Sequence, residues 1–356
     1  MPESRIHDVA IRGIACAVPR RRETEKDLAA VFGEKDARRL VRGTTVQERR
    51  LDRSLCCSDL CQASASELIR SLNWDPRSIK HLVFVTQSSD YLLPATACVL
   101  QDRLGLDPDC SAFDVNLGCS GYTYGLWLAG RIVEPGQRAL LLVGDTPYQI
   151  APEDRSALPL FGAAGAATAL ESTKDSGTPP LAFFLGTDGS GYRNIFIPAG
   201  HCRTPHSIAT LERTMCPDGI VRSQEDLYMN GPEVFAFSLN QVPPLVDRTL
   251  NLAGWTIDQC DDFVFHQANG FMLQHLSEKI GIPATKVPKS IELFGNTSSA
   301  SIPLTMVTER RSEMLNQSRK FVLAGFGVGW SWAGAAIHLD PIVVPELIEM
   351  ESAEPI

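Results

Sequence analysis

The sequence predicts an α/β fold assembled from two similar halves, and three observations carry that expectation. The first is a set of short runs that are apolar at every position: Leu82-Val83-Phe84-Val85, Ala139-Leu140-Leu141-Leu142-Val143 and Phe321-Val322-Leu323-Ala324. Strands read this way when helices cover both faces of their sheet. The second is that these runs alternate with loops of small and polar residues and with helical patterns. The third is that the order repeats. Residues 81–106 and 262–282 each read as an apolar run, a polar loop and a helix that closes at Leu104-Gly105 or Ile280-Gly281.

The next elements extend the echo. Residues 111–145 and 291–327 each hold a loop of small residues, an apolar helix, a basic turn and an apolar strand that ends in glycine. Cys119 and Asn296 occupy corresponding places, just before the helix in each half. The expected halves are residues 1–175 and 176–356. Polar loops at the strand ends of both can then converge on one site.

Composition narrows the class. The chain has 356 residues, 44% of them hydrophobic and 21% charged, which excludes collagen, a disordered tail and a disulfide mini-protein. No apolar run approaches the ~18 residues that span a bilayer. Met1 to Asp8 contain no apolar signal-peptide core, so a cytoplasmic location is expected. The net charge of -9 argues against a generic nucleic-acid binder. Locally, Arg38, Arg39, Arg42, Arg49, Arg50 and Arg53 form a basic stretch. It reads either as a solvated face or as a patch for a phosphate-bearing or acidic partner. Ten cysteines in such a compartment serve as small core residues or as chemistry. The densest cluster, Cys56, Cys57 and Cys61, lacks zinc spacing; Cys57 and Cys61 instead share one face of a helix over residues 58–72. No metal is expected.

Three residues stand out chemically. Cys119 lies in Asn116-Leu117-Gly118-Cys119-Ser120-Gly121, between a strand and a helix over residues 122–133. Free N–H groups and the dipole at a helix start favour an anion, so a lowered thiol pKa and a nucleophilic sulfur are expected there. The same N–H groups can hold an oxyanion. His266 follows the apolar run Phe263-Val264-Phe265, and Asn296 lies in Gly295-Asn296-Thr297-Ser298. Alone, the first reads as a structural histidine and the second as turn and cap chemistry. The duplicated plan brings both to the same rim as Cys119.

The combination resembles the thiolase superfamily, specifically the β-ketoacyl-acyl-carrier-protein synthase III-like condensing enzymes. The resemblance extends over nearly the whole chain and is carried by the stretches 94–98, 114–121, 144–146, 160–162, 229–235, 266–269, 295–303 and 325–327. The resemblance implies a five-layered αβαβα thiolase-like fold, a homodimer and a Cys119-His266-Asn296 triad. It implies an active-site loop of Phe326, Gly327 and Val328 that holds the oxyanion, and substrate contacts from Arg155 and Asn269. It implies no cofactor; the substrates are acyl and malonyl thioesters, carried by coenzyme A or acyl carrier protein. The reaction would load an acyl group on Cys119 and then condense it with a malonyl thioester by decarboxylation. The alternative on the same scaffold is acyl transfer to an alcohol or amine.

Several places depart from the family pattern. No Trp precedes Trp74, Phe271 stands where an Arg often docks carrier protein, Ala163-Ala164 follow Leu160-Phe161-Gly162, and Val328 replaces a glycine. These changes point to a specialised lipid or secondary-metabolite pathway. Carrier docking would then lean on Lys279, Lys286, Lys289 or the Arg38–Arg53 stretch. The stretch from His201 to Arg222 is expected to cap the tunnel; its Cys202, His206 and Cys216 lack metal spacing.

Overall fold

Two mixed sheets carry the fold, and their strand orders match. The structure is a computed structural model that describes residues 3–147, 149–173, 177 and 179–351. The first sheet runs Ile348–Met350, Val9–Pro19, Ala164–Ser172, Arg138–Asp145, Ile79–Val85, Ser111–Val115. The second runs Glu3–Ile6, Leu181–Thr187, Ser331–Leu339, Arg319–Gly327, Asp262–Phe265. Ile79–Val85 lies parallel to Arg138–Asp145, as Asp262–Phe265 does to Arg319–Gly327. In each sheet the next neighbour, Ala164–Ser172 or Ser331–Leu339, is antiparallel.

The terminal strands cross over. Glu3–Ile6 pairs with Leu181–Phe184 in the second sheet, and Ile348–Met350 pairs with Ala17–Pro19 in the first. The contiguous halves read from sequence are therefore corrected at both ends: each sheet is completed by a strand from the opposite terminus. The junction expected at residues 175 and 176 lies outside the described residues.

Five layers result. Helix Gly121–Ile132 lies between the sheets, touching Ile79–Val85 and Arg138–Asp145 on one side and Arg319–Gly327 and Ser331–Leu339 on the other. Helix Ser301–Asn316 shares that middle layer. Cys57–Ser71 covers the outer face of the first sheet, and Gly231–Ala253 covers that of the second. Residues 139–143 are buried because helices cover both of their faces. Gly125 lets the middle helix sit close: a Cβ there would lie 2.6 Å from Leu141 Cδ1. Cys57 and Cys61 face the sheet with their sulfurs 4.0 Å apart. Among the described residues, no cluster of His, Cys, Asp or Glu could hold a metal ion, and no helix is long and apolar enough to cross a membrane.

The stretch His201–Arg222 is bolted to the body by a buried ion pair. Arg222 meets Asp154 at 2.7 Å, their side chains 2% and 0% exposed. Asp154 also accepts the N–H groups of Ser156 and Ala157. Arg222 also meets Asp218 at 2.6 Å, a part-exposed carboxylate that remains when Asp154 is removed. Asp154→Ala is therefore expected to lose about 1–3 kcal/mol, read as a lower urea midpoint at unchanged slope.

Candidate active site

Cys119, His266 and Asn296 line one cavity of about 420 Å³, together with Phe326, Gly327 and Val328. Cys119 follows strand Ser111–Val115, His266 follows strand Asp262–Phe265, and Asn296 follows the short helix Ile291–Phe294, which is why no local spacing in the sequence relates them.

Cys119 sits in the tight turn between Ser111–Val115 and the middle-layer helix. Gly121 N–H donates to Gly118 carbonyl at 2.7 Å and closes the turn. The turn is tied to the loop after Arg319–Gly327, since Ser120 Oγ meets Ser331 Oγ at 2.6 Å and Ser331 Oγ donates to Val328 carbonyl at 2.9 Å. That loop lies directly on the sulfur. A Cβ on Gly327 would fall 2.8 Å from Cys119 Sγ, so only glycine permits the approach.

Burial pushes the Cys119 thiol up to about 11; the Val328 N–H opposes this, the Asp145 carboxylate adds to it, and the Cys119 N–H and Ser298 hydroxyl oppose it. The lowered thiol expected from the helix start is corrected accordingly: desolvation dominates in the cavity. Loading that proceeds through the thiolate is thus expected to quicken with rising pH throughout the neutral range. Acyl-enzyme formation timed by intact mass at several pH values checks this, and a flat profile would count against it.

His266 follows strand Asp262–Phe265, and its N–H donates to Ala324 carbonyl at 2.8 Å. Burial lowers its pKa to about 3, so the ring is neutral at working pH. Its Nδ1 lies 2.8 Å from Ser301 Oγ, which accepts the Gln267 N–H at 3.3 Å. A hydroxyl that accepts from Gln267 keeps its own proton to give to Nδ1. With the hydroxyl donating in this way the imidazole proton is on Nε2; the opposite tautomer would have Ser301 Oγ accept from both groups. Phe326 packs edge-on to the ring at 5.7 Å.

Asn296 is held by the opposite half of the chain. Its N–H donates to Leu160 carbonyl at 2.8 Å, and its carbonyl accepts the Gly162 N–H at 3.0 Å. Its Oδ1 accepts the Ser298 N–H at 2.9 Å, which leaves the Nδ2 protons to serve the cavity. Two neutral donors, one imidazole and one carboxamide, thus share the cavity with the sulfur.

Of the two expected substrate contacts, one lines the cavity and one does not. Asn269 lines the cavity, but its Oδ1 caps helix Gly270–Ile280 by accepting the Met272 N–H at 2.7 Å. Arg155 does not line the cavity; it pairs with Asp36 at 2.6 Å on the surface. Arg49 and Arg50 leave the basic stretch altogether: both are buried and paired with Glu23 and Glu349. Lys286 is spent on the carbonyls of Ile257, Asp258 and Cys260. The stretch His201–Arg222 does not line the Cys119 cavity. Its His201, Cys202 and His206 border a separate cavity of about 550 Å³ that shares Gln87 with the first.

The sequence reading missed Ser301 and Gln87. Ser301 lies within the 295–303 stretch, but its contact with His266 spans 35 positions and leaves no local signal. Phe271, which is exposed, stacks on the cavity-lining Phe235 with ring centroids 5.7 Å apart.

A cysteine, an imidazole and a carboxamide brought together by two copies of one α/β plan define an enzyme of the thiolase superfamily. Comparison with known proteins narrows this. The 3-oxoacyl-[acyl-carrier-protein (ACP)] synthase III family matches residues 113–189, and the 3-oxoacyl-[acyl-carrier-protein (ACP)] synthase III C-terminal family matches residues 250–339. A β-ketoacyl-[acyl-carrier-protein] synthase III of Rhodopirellula baltica is 32% identical over 92% of this chain and 97% of its own. A solved 3-oxoacyl-(acyl-carrier protein) synthase of Burkholderia xenovorans is 41% identical, covers 98% of this chain and 99% of its own, and superposes with a TM-score of 0.91. The priming β-ketosynthase of a polyketide biosynthetic pathway is 26% identical over 96% of this chain and 98% of its own, with a TM-score of 0.81. The chain belongs to the 3-oxoacyl-[acyl-carrier-protein] synthase III family.

Proposed function

We propose that this chain makes a carbon–carbon bond between an acyl group held on Cys119 and the enolate of a malonyl thioester. The observation that supports it best is the pairing of two neutral hydrogen-bond donors, His266 and Asn296, in the cavity that holds the sulfur.

The Cys119 thiolate attacks the carbonyl carbon of an acyl thioester. The oxyanion is held by N–H groups of Cys119 and of the Phe326–Val328 loop, and the carrier thiolate leaves. A malonyl thioester then enters. Its carboxylate carbon–carbon bond breaks, carbon dioxide departs, and the electron pair moves to the thioester oxygen. The His266 Nε2 proton and an Asn296 Nδ2 proton meet that developing charge, each worth about 2.7–4 kcal/mol. The enolate carbon attacks acyl-Cys119, the carbon–sulfur bond breaks, and a β-ketoacyl thioester leaves. Losing carbon dioxide generates the nucleophile, so the step calls for no external base and no cofactor.

The substrates in this reading are acyl and malonyl thioesters of coenzyme A or of an acyl carrier protein, in a cytoplasmic homodimer. Phe271 in place of a carrier-docking Arg and the absence of a Trp before Trp74 support a specialised lipid or secondary-metabolite role. Incubation with paired acyl and malonyl thioesters tests the reading by product mass. A β-ketoacyl thioester two carbons longer than the donor supports it. Transfer of the unextended acyl group to an alcohol or amine would replace it with simple acyl transfer.

A further inference from the structure

A second chamber opens off the Cys119 cavity and shares Gln87, Phe161, Leu227, Asn296 and Ser298 with it. Its volume is about 130 Å³. At the ~30 Å³ that each water occupies in the liquid, this holds roughly four non-hydrogen atoms. Ile150, Phe161, Ile197 and Leu227 give the chamber apolar walls. The Asp145 carboxylate in the same wall is buried and already accepts from Thr86 Oγ1, the Gln87 N–H and Ser88 Oγ, so a ligand meets the chamber chiefly as an apolar space.

The chamber borders the outer cavity of about 550 Å³, and Gln87, Ser88 and Gln149 line both. Gln87 and Gln149 are exposed, and neither carboxamide has a hydrogen-bond partner among the described residues. Exposed amides without protein partners are served by solvent. An aliphatic chain pushed between them would strip that solvent and return no hydrogen bond. Gln87 also reaches back to the turn of the nucleophile. A Cβ on Gly118 would fall 2.3 Å from its Oε1, so the carboxamide rests on the residue before Cys119. Beyond the two glutamines, the outer cavity is bordered by Tyr91 and Leu92, both exposed.

We infer that Gln87 and Gln149 set a length limit on the acyl group held by Cys119, at about five carbons: the carbonyl carbon at the sulfur and roughly four more in the chamber. The inference rests on Cys119 being the acyl carrier and adds the size class of the acyl group. Each methylene that the chamber buries favours loading about fourfold. Past the limit the next methylene meets amide and solvent, so the gain stops and desolvation of the carboxamides opposes entry.

The test is a straight-chain series of acyl-coenzyme A thioesters, from acetyl through pentanoyl to decanoyl. Loading of the full chain is followed by intact mass, with the adduct mapped to Cys119, separately from condensation. In the wild-type chain kcat/KM should climb to pentanoyl and fall at least about tenfold by decanoyl. Gln149→Ala removes one side of the partition and leaves the Cys119 cavity alone, which Gln149 does not line. It should move the best substrate to octanoyl or longer, with the extended tail along Tyr91 and Leu92. Gln87→Ala should move it in the same direction. Wild-type loading of decanoyl at least as fast as pentanoyl overturns the inference, as does an optimum that stays at pentanoyl in both variants. Loading without a length limit leaves the proposed condensation standing. Failure of every thioester to load on Cys119 removes both.

Discussion

Cys119→Ala is expected to abolish the mass gain that follows incubation with an acyl thioester. The sulfur is the atom that forms the bond, and no other described cysteine lines the same cavity. Cys57 and Cys61 are buried against the first sheet, and Cys16 is buried as well. Cys56, Cys98 and Cys202 are exposed, so peptide mapping is read beside the intact mass, and the stoichiometric adduct at position 119 should be lost. The variant should also fold, because the change removes one atom next to Gly327, where the backbone already lies tight on the sulfur. A retained adduct at full stoichiometry would show that the acyl group rides elsewhere.

Asn296→Ala separates the two half-reactions. Acyl loading uses Cys119 and the N–H groups around it, none of which Asn296 supplies, so the acyl-enzyme should still form. Condensation should fall about 10²–10³-fold, the usual effect of losing one donor aimed at a developing oxyanion. The prediction depends on the amide orientation. With Oδ1 bound to the Ser298 N–H, Nδ2 alone is left to donate. Condensation and loading falling equally would mean that Asn296 is a structural residue of the loop that Leu160 and Gly162 hold.

Much of this was legible in the sequence, and the remainder was hidden for definite reasons. Apolar strands such as residues 139–143 announce burial on both faces, and their repetition announced the doubled sheet. The exchange of Glu3–Ile6 and Ile348–Met350 between sheets could not be read. Both are short edge strands whose pairing is set by tertiary contact, with no pattern of their own. Cys119, His266 and Asn296 were readable because each stands at a strand or helix end within a distinctive run. Arg155 and Arg50 show the limit. Composition reports a cation, but whether it faces a substrate, a surface carboxylate such as Asp36, or a buried one such as Glu349 depends on folded neighbours. The thiol's ionisation was misread for a related reason. A helix start is visible in sequence, whereas the desolvation that raises the thiol inside the cavity is not.

The most direct measurement is a single turnover. Enzyme already acylated on Cys119 is mixed with malonyl thioester labelled in its free carboxylate. One labelled carbon dioxide should appear for each acyl group that leaves the sulfur, at the same rate. Acyl groups leaving Cys119 while the label stays in the malonyl thioester would contradict the account.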